Sequence, residues 1–288
     1  MKLKKLIAVL SALCMMMTIN INGTGRDFIL VNADESTEST SESSKATENQ
    51  YSGSCDENAV WTFDSESGTI TISGTGEMEN YLNKTRPWKT YSTDITSIVI
   101  EEGITTIGSD ALRDCGKLVS VSLPSSLTVI MKNAFCNCMS LENIVIPEGV
   151  EEINDNAFGC CGLLNEVYLP STLTKIGNDV FFGDAHLESL VLPKNLREIG
   201  TNVFGDCTKL KNIDVDSENE QFKTVDGVLF NNDMTNLVSF PCGKEIEEYV
   251  ILDGVETISE YAFNYQNSLK SIILPNSLKT MHFIIVTI

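Results

Sequence analysis

Apolar side chains recur every 23 residues through most of this chain, with Ile98, Val121, Ile144, Val167, Leu190 and Ile213 opening successive blocks. The pattern resumes at Tyr249 and Ile272 after a gap of 36 residues, making eight copies. Offsets within the block keep their chemistry. Isoleucine returns at Ile107, Ile130, Ile153, Ile176, Ile199 and Ile258, and phenylalanine at Phe135, Phe158, Phe181, Phe204 and Phe263. A unit this short buries too few side chains to fold alone, so each copy must pack on its neighbours. The prediction is an α/β solenoid of leucine-rich repeats with one parallel β-strand per rung. In the block from Leu141, Ile144 and Ile146 point inward and Val145 outward, because side chains alternate along a strand. Pro124, Pro147, Pro170, Pro193 and Pro275 end the strand, since proline gives no donor to a ladder. Asn156-Ala157-Phe158 reads as a short helical turn that lets the ring pack between rungs.

The pattern changes outside the array. Residues 1–33 combine a basic start, Lys2, Lys4 and Lys5, with an apolar run from Leu6 to Ile21, and read as a secretory signal too short to anchor in a bilayer. Residues 34–50 have no aromatic or branched aliphatic side chain and read as a disordered linker. Residues 51–94 alternate at Trp61 to Phe63 and at Ile70 to Ile72, predicting a β-hairpin cap over the first rung. The solenoid then occupies 95–288, with an island insert at about 216–248. The final block departs from the pattern after Thr280, and the expectation is a reading frame that ends early.

Charge narrows the partners. The chain carries a formal net charge of −20, and removing residues 1–33 would leave 16 basic against 39 acidic residues. Such a surface repels phosphate backbones, so nucleic acid is not an expected partner. Its general role is solubility.

Candidate chemistry is sparse. Cys115, Cys138, Cys161 and Cys207 share one offset, with Asp184 in the missing place, so stacking makes them a ladder. The favoured reading is structural: small buried thiols that donate weakly to carbonyls. A disulfide or metal stack is the alternative, although no histidine completes a zinc set. Cys242 and Cys55 fall outside the array. The two histidines, His186 and His282, stand in no catalytic motif, and carboxylates on a solenoid spread over its faces, so neither catalytic residues nor a cofactor is expected. Asp214, Asp216, Glu218 and Glu220 alternate as in calcium loops, but Asn219 replaces the required glycine, favouring a solvated turn.

The outward strand position offers a surface instead. Val99, Ser122, Val145, Tyr168, Val191, Asp214, Val250 and Ile273 would align on the concave sheet as an apolar stripe flanked by Glu142, Glu166 and Glu188. Exposed stripes mark partner sites, although β-branched residues also favour strands wherever they point.

The pattern L-x-x-I-x-I-P followed by x-x-V-x-x-I-G-x-x-A-F-x-x-C-x-x-L resembles the BspA-like leucine-rich repeats of bacterial surface proteins. The segment 52–81, the Pro87-Trp88 pair, and the hairpin-like Val225–Phe230 with Leu237–Pro241 resemble the flank and island of that family. The resemblance covers about residues 52–281. It implies a secreted or wall-attached module that adheres to host matrix proteins or other cells, taking an extracellular protein or glycan ligand without stable membrane insertion once the signal is removed. A structural spacer without its own ligand is the rival expectation, and an unrecognised hydrolase the third.

Overall fold

The computed structural model describes residues 50–82 and 85–281. The expected signal segment, the linker up to residue 49, His282 and the end of the last block lie outside the described residues.

Each block contributes one strand to each of two parallel faces. The first face collects Ser97–Ile100, Ser120–Ser122, Asn143–Val145, Glu166–Tyr168, Ser189–Leu192, Asn212–Val215, Glu248–Val250 and Ser271–Ile273. The second collects Ile104–Ile107, Val129–Ile130, Glu152–Ile153, Lys175–Ile176 and Glu198–Ile199, and resumes with Thr257–Ile258 and Thr280–Met281. Partners are 23 residues apart, as in Ile144 opposite Val167 and Ile153 opposite Ile176. The alternation expected at Leu141 holds, with Ile144 and Ile146 buried and Val145 exposed. Past each proline the chain closes a tight turn, the amide of Leu173 donating to Pro170 O at 3.2 Å.

The arc after the second strand corrects the expected helical turn, and with it the α/β class: the described chain is a β-solenoid. The 3-10 segment Lys89–Tyr91 is the one helical element among the described residues. In the arc, every fourth residue has left-handed φ. One set is Asp110, Asn133, Asn156, Asp179 and Asn202, at 55° to 58°; the other is Asp114, Asn137, Cys160, Gly183 and Asp206, at 58° to 80°. Left-handed residues break helical propagation and turn peptide groups along the stacking axis. The amides of Asn156, Phe158 and Cys160 therefore donate to Asn178 O, Val180 O and Phe182 O on the next rung, at 2.8, 3.0 and 2.6 Å. Asparagine and aspartate tolerate this backbone, and their side chains form a ladder. Asn133 Nδ2 donates to Asp110 Oδ1 (3.0 Å), Asn156 Nδ2 to Asn133 Oδ1 (2.8 Å) and Asn202 Nδ2 to Asp179 Oδ1 (2.7 Å).

Inside the arc the phenylalanines stack. Successive centroids from Phe135 through Phe158 and Phe181 to Phe204 are 5.3, 5.9 and 6.2 Å apart, with planes within 11°. The cysteines of the ladder are hydrogen-bonded to carbonyls of the arc. Cys138, Cys161 and Cys207 donate through Sγ to Leu112 O, Phe135 O and Phe181 O, at 3.4, 3.3 and 3.0 Å. All described cysteines are unpaired thiols. Cys242, expected outside the array, joins this ladder instead, its Sγ donating to Phe204 O at 3.1 Å. Burial pushes Cys115 up to about 12 and Cys136 up to about 11, so these thiols stay neutral and unreactive.

The cap has three antiparallel strands, one more than the expected hairpin: Gln50–Ser54, Ala59–Asp64 and Thr69–Gly74. The third lies parallel to the first rung, Ile70 opposite Ile98 and Ile72 opposite Ile100. It also replaces a missing arc. The first-rung carbonyls that would receive amides from a preceding rung are served by Tyr81 N on Ser109 O (2.8 Å), Trp88 Nε1 on Ala111 O (3.0 Å) and Arg86 Nη1 on Arg113 O. Arg86 is buried and also faces Asp114. A buried carbonyl left without a donor is costly, which accounts for an arginine and a tryptophan inside the cap.

The island is a three-stranded antiparallel sheet, Phe222–Val225, Val228–Asn231 and Asn236–Ser239, whose last strand runs parallel to Thr257–Ile258. It thus rejoins the solenoid, and Phe240 stacks 5.1 Å from Phe263. Buried Asn219 fastens its entrance, donating to Pro193 O and Leu196 O while accepting from the amides of Gln221 and Phe222.

Arg86→Met should lower unfolding free energy by about 2–3 kcal/mol, because it strands buried carbonyls without changing the strands; urea denaturation measures it. Thiol labelling with peptide mapping should modify half-exposed Cys160 before Cys115, Cys138, Cys161 and Cys207. Equal rates for all five would contradict the ladder.

Candidate functional site

The outward column is built by the strand alternation that buries the core. Val99 lies opposite Ser122, Val145 opposite Tyr168, Val191 opposite Asp214 and Val250 opposite Ile273. Val145, Val191 and Val250 are 56 %, 55 % and 56 % exposed, and Ile273 is 46 % exposed. Val99 and Tyr168 are half-buried, while Ser122 and Asp214 are exposed. The polar members divide the stripe. Val145, Tyr168 and Val191 occupy successive rungs, and Val250 with Ile273 form a second patch beyond the island.

A second exposed column runs beside it, two residues earlier on each strand. It reads Ser97, Ser120, Asn143, Glu166, Ser189, Asn212, Glu248 and Ser271, almost all able to donate or accept. Ser120 Oγ donates to Ser97 Oγ at 2.9 Å, and Ser271 Oγ to Glu248 Oε2 at 3.2 Å. Tyr168 OH donates to Glu166 Oε2 at 3.2 Å, and partial burial with that carboxylate raises its phenol above the usual range. Tyr168 is therefore neutral, with its ring and its hydroxyl both part of this face. Glu142, Glu166 and Glu188 are exposed along this face as expected, making it apolar in the middle and acidic at the margin.

This polar column was missed at the level of sequence. Its signal is short polar residues just before each core position, visible only when the blocks are aligned by strand register.

The acidic run and His186 occupy turns. The alternating acidic run gives a turn, Asp216 Oδ1 accepting the Glu218 amide at 2.8 Å. No group of three or more His, Cys, Asp or Glu among the described residues is placed to hold a metal ion. His186 Nδ1 meets Gly162 O at 2.7 Å in the cysteine-side turn. Part of the acidity also binds rungs together. Glu102 holds the Ser125 amide at 2.8 Å and Glu148 the Ser171 amide at 3.1 Å, and the bonds to Ser125 keep the exposed Glu102 carboxyl below the usual range. No described helix is long and apolar enough to cross a membrane.

Comparison with known proteins agrees with this geometry. A leucine-rich repeat protein of Eubacterium ventriosum is 26% identical with a TM-score of 0.72, over 81% of this chain and 62% of that one. The pneumococcal vaccine antigen PcpA is 26% identical at a TM-score of 0.63, over 79% of this chain and 66% of that one. A leucine rich cell surface protein of Faecalibacterium prausnitzii is 25% identical at 0.58, over 83% and 74%. The chain thus spans less than two thirds of the length of the first two structures. No curated protein matches. The family model described as BspA type leucine rich repeat region matches in six copies, over 89–211, 179–241 and 236–283. With its 23-residue rungs, stacked phenylalanines and capped arc, the chain belongs to the BspA-type leucine-rich repeat family.

Proposed function

We propose that this solenoid is a secreted or cell-surface binding module that docks an extracellular protein or glycan on its first strand face, in the service of adhesion. The observation that carries the reading is the exposed run Val145, Tyr168 and Val191, bordered by Ser, Asn and Glu side chains that can satisfy a partner's polar groups. Apolar anchors surrounded by a polar rim are the usual anatomy of an interface, and tyrosine is enriched among its energetic anchors. Glu142, Glu166 and Glu188 favour a partner whose contacting surface is basic, raising its rate of encounter at low salt. Likeness to a bacterial cell surface protein and to a pneumococcal antigen supports an extracellular address. The signal-like residues 1–33 support the same address.

Because these side chains point away from the core, Val145→Ser with Tyr168→Ser should leave thermal unfolding nearly unchanged. Retention on immobilised matrix proteins or glycans should fall about tenfold or more, as for the loss of an interface anchor. Wild-type binding by the double variant would remove this face from consideration. A wild-type protein that retains nothing above background would favour the spacer reading.

A further inference from the structure

One rung of the cysteine ladder holds a carboxyl instead of a thiol. From Cys138 onward, the thiols and the amide along this column donate to a carbonyl of the rung before. Cys161 serves Phe135 O, Cys207 serves Phe181 O, Cys242 serves Phe204 O, and Gln266 Nε2 serves Phe240 O at 3.2 Å. The same step of 26 residues that links Phe135 to Cys161 and Phe181 to Cys207 links Phe158 to Asp184. Phe158 O receives the Cys161 amide at 3.3 Å, as its counterparts receive theirs, but its second donor would have to come from Asp184. An ionised carboxylate has no hydrogen to give, whereas a carboxylic acid has one.

The surroundings favour the acid. Asp184 is 0% exposed. Its Oδ1 accepts the Cys161 amide at 2.8 Å, while Oδ2 is buried without a partner. Among the described residues no ion pair includes it. The titratable groups facing it are Cys161 and Cys160 on one side and Cys207 on the other, all thiols whose burial keeps them neutral. Asp206, which acts on the neighbouring Cys207 and Cys160, carries charge of the same sign, and His186 two residues on engages Gly162 O through Nδ1. A lone charge here would be desolvated without compensation.

We propose that Asp184 is carried as the neutral acid at neutral pH and donates its proton to Phe158 O, forming a clasp between rungs that alkali opens. Burial pushes this carboxyl well above the ordinary carboxylate range, in the same direction. A carboxyl raised in the folded state binds its proton there but releases it on unfolding. Its contribution is full below the unfolded value of about 4 and is lost as pH climbs toward the folded value. This runs opposite to the hydrogen-bonded surface carboxylates such as Glu102, whose contribution is lost as pH falls. Stability therefore depends on pH in two opposing ways; the raised thiols and phenols lose their contribution only above their own unfolded values of about 8.5 and about 10, so the falling limb between about pH 5 and about pH 8 belongs to Asp184.

Asp184→Asn isolates that limb. It keeps an oxygen for the Cys161 amide and supplies a permanent N–H for Phe158 O. Thermal midpoints of wild type and variant, measured under reducing conditions from about pH 5 to about pH 8, should diverge, the variant gaining several degrees relative to wild type as pH rises. A difference that stays flat, or a variant less stable throughout, overturns the proposal. Infrared spectroscopy of the wild type at neutral pH provides a readout independent of the variant's folding. A buried protonated carboxyl band should be present, and should vanish in Asp184→Cys, which restores the ladder residue. Absence of that band in the wild type also overturns it.

Discussion

Everything in this solenoid depends on peptide groups in the arc being aimed along the stacking axis, so that each rung bonds to the next through turns as well as strands. The strands alone are too short to do this; several of the second face have only two residues. Alternating left-handed residues produce the required direction, and the chain uses asparagine and aspartate for it at most rungs. Their side chains add a further row of bonds at no extra length. The phenylalanine stack and the thiol row fill the space the arc encloses, so one backbone constraint selects three kinds of residue at three fixed offsets.

The same constraint explains the ends and the interruptions. A first rung has no predecessor, and its carbonyls would be stranded in a dry interior. Arg86, Trp88 and the Tyr81 amide are placed where a preceding rung would supply donors. The island satisfies it differently, returning a strand to the second face and offering Cys242 and Phe240 to the rows that continue beyond. Asp184 is the place where the rule is kept only if a proton is added. Since the interior is committed to these rows, the exposed strand positions are left free to vary, and there the apolar and short polar columns lie side by side.

Much of this is legible in the sequence. The core positions, the strand alternation, the prolines that end strands and the common depth of Phe135, Phe158 and Phe204 follow from periodicity, because burial tolerates little change in side-chain type. The stripe was legible as well, since outward positions follow from inward ones. The arc was misread as a helical turn because Asn-Ala-Phe at that spacing suits either; the recurrence of Asn and Asp at the left-handed offsets was the discriminating signal. Cys242 was misplaced because an insertion shifts sequence numbering without shifting the hydrogen-bond row. The cap donors could not be read at all, as nothing local in Arg86 or Trp88 says which carbonyls they will meet.

By itself, then, the sequence determined the repeat length, the identity of the buried residues and the columns presented to solvent, because these depend on side-chain character at a fixed period. Only the tertiary structure decided the direction of the arc's peptide groups, the donors that close the first rung and the burial of Asp184 away from water and from any ion pair among the described residues. Those properties arise between residues more than twenty positions apart, where backbone geometry and exclusion of water act together and no single segment carries the information.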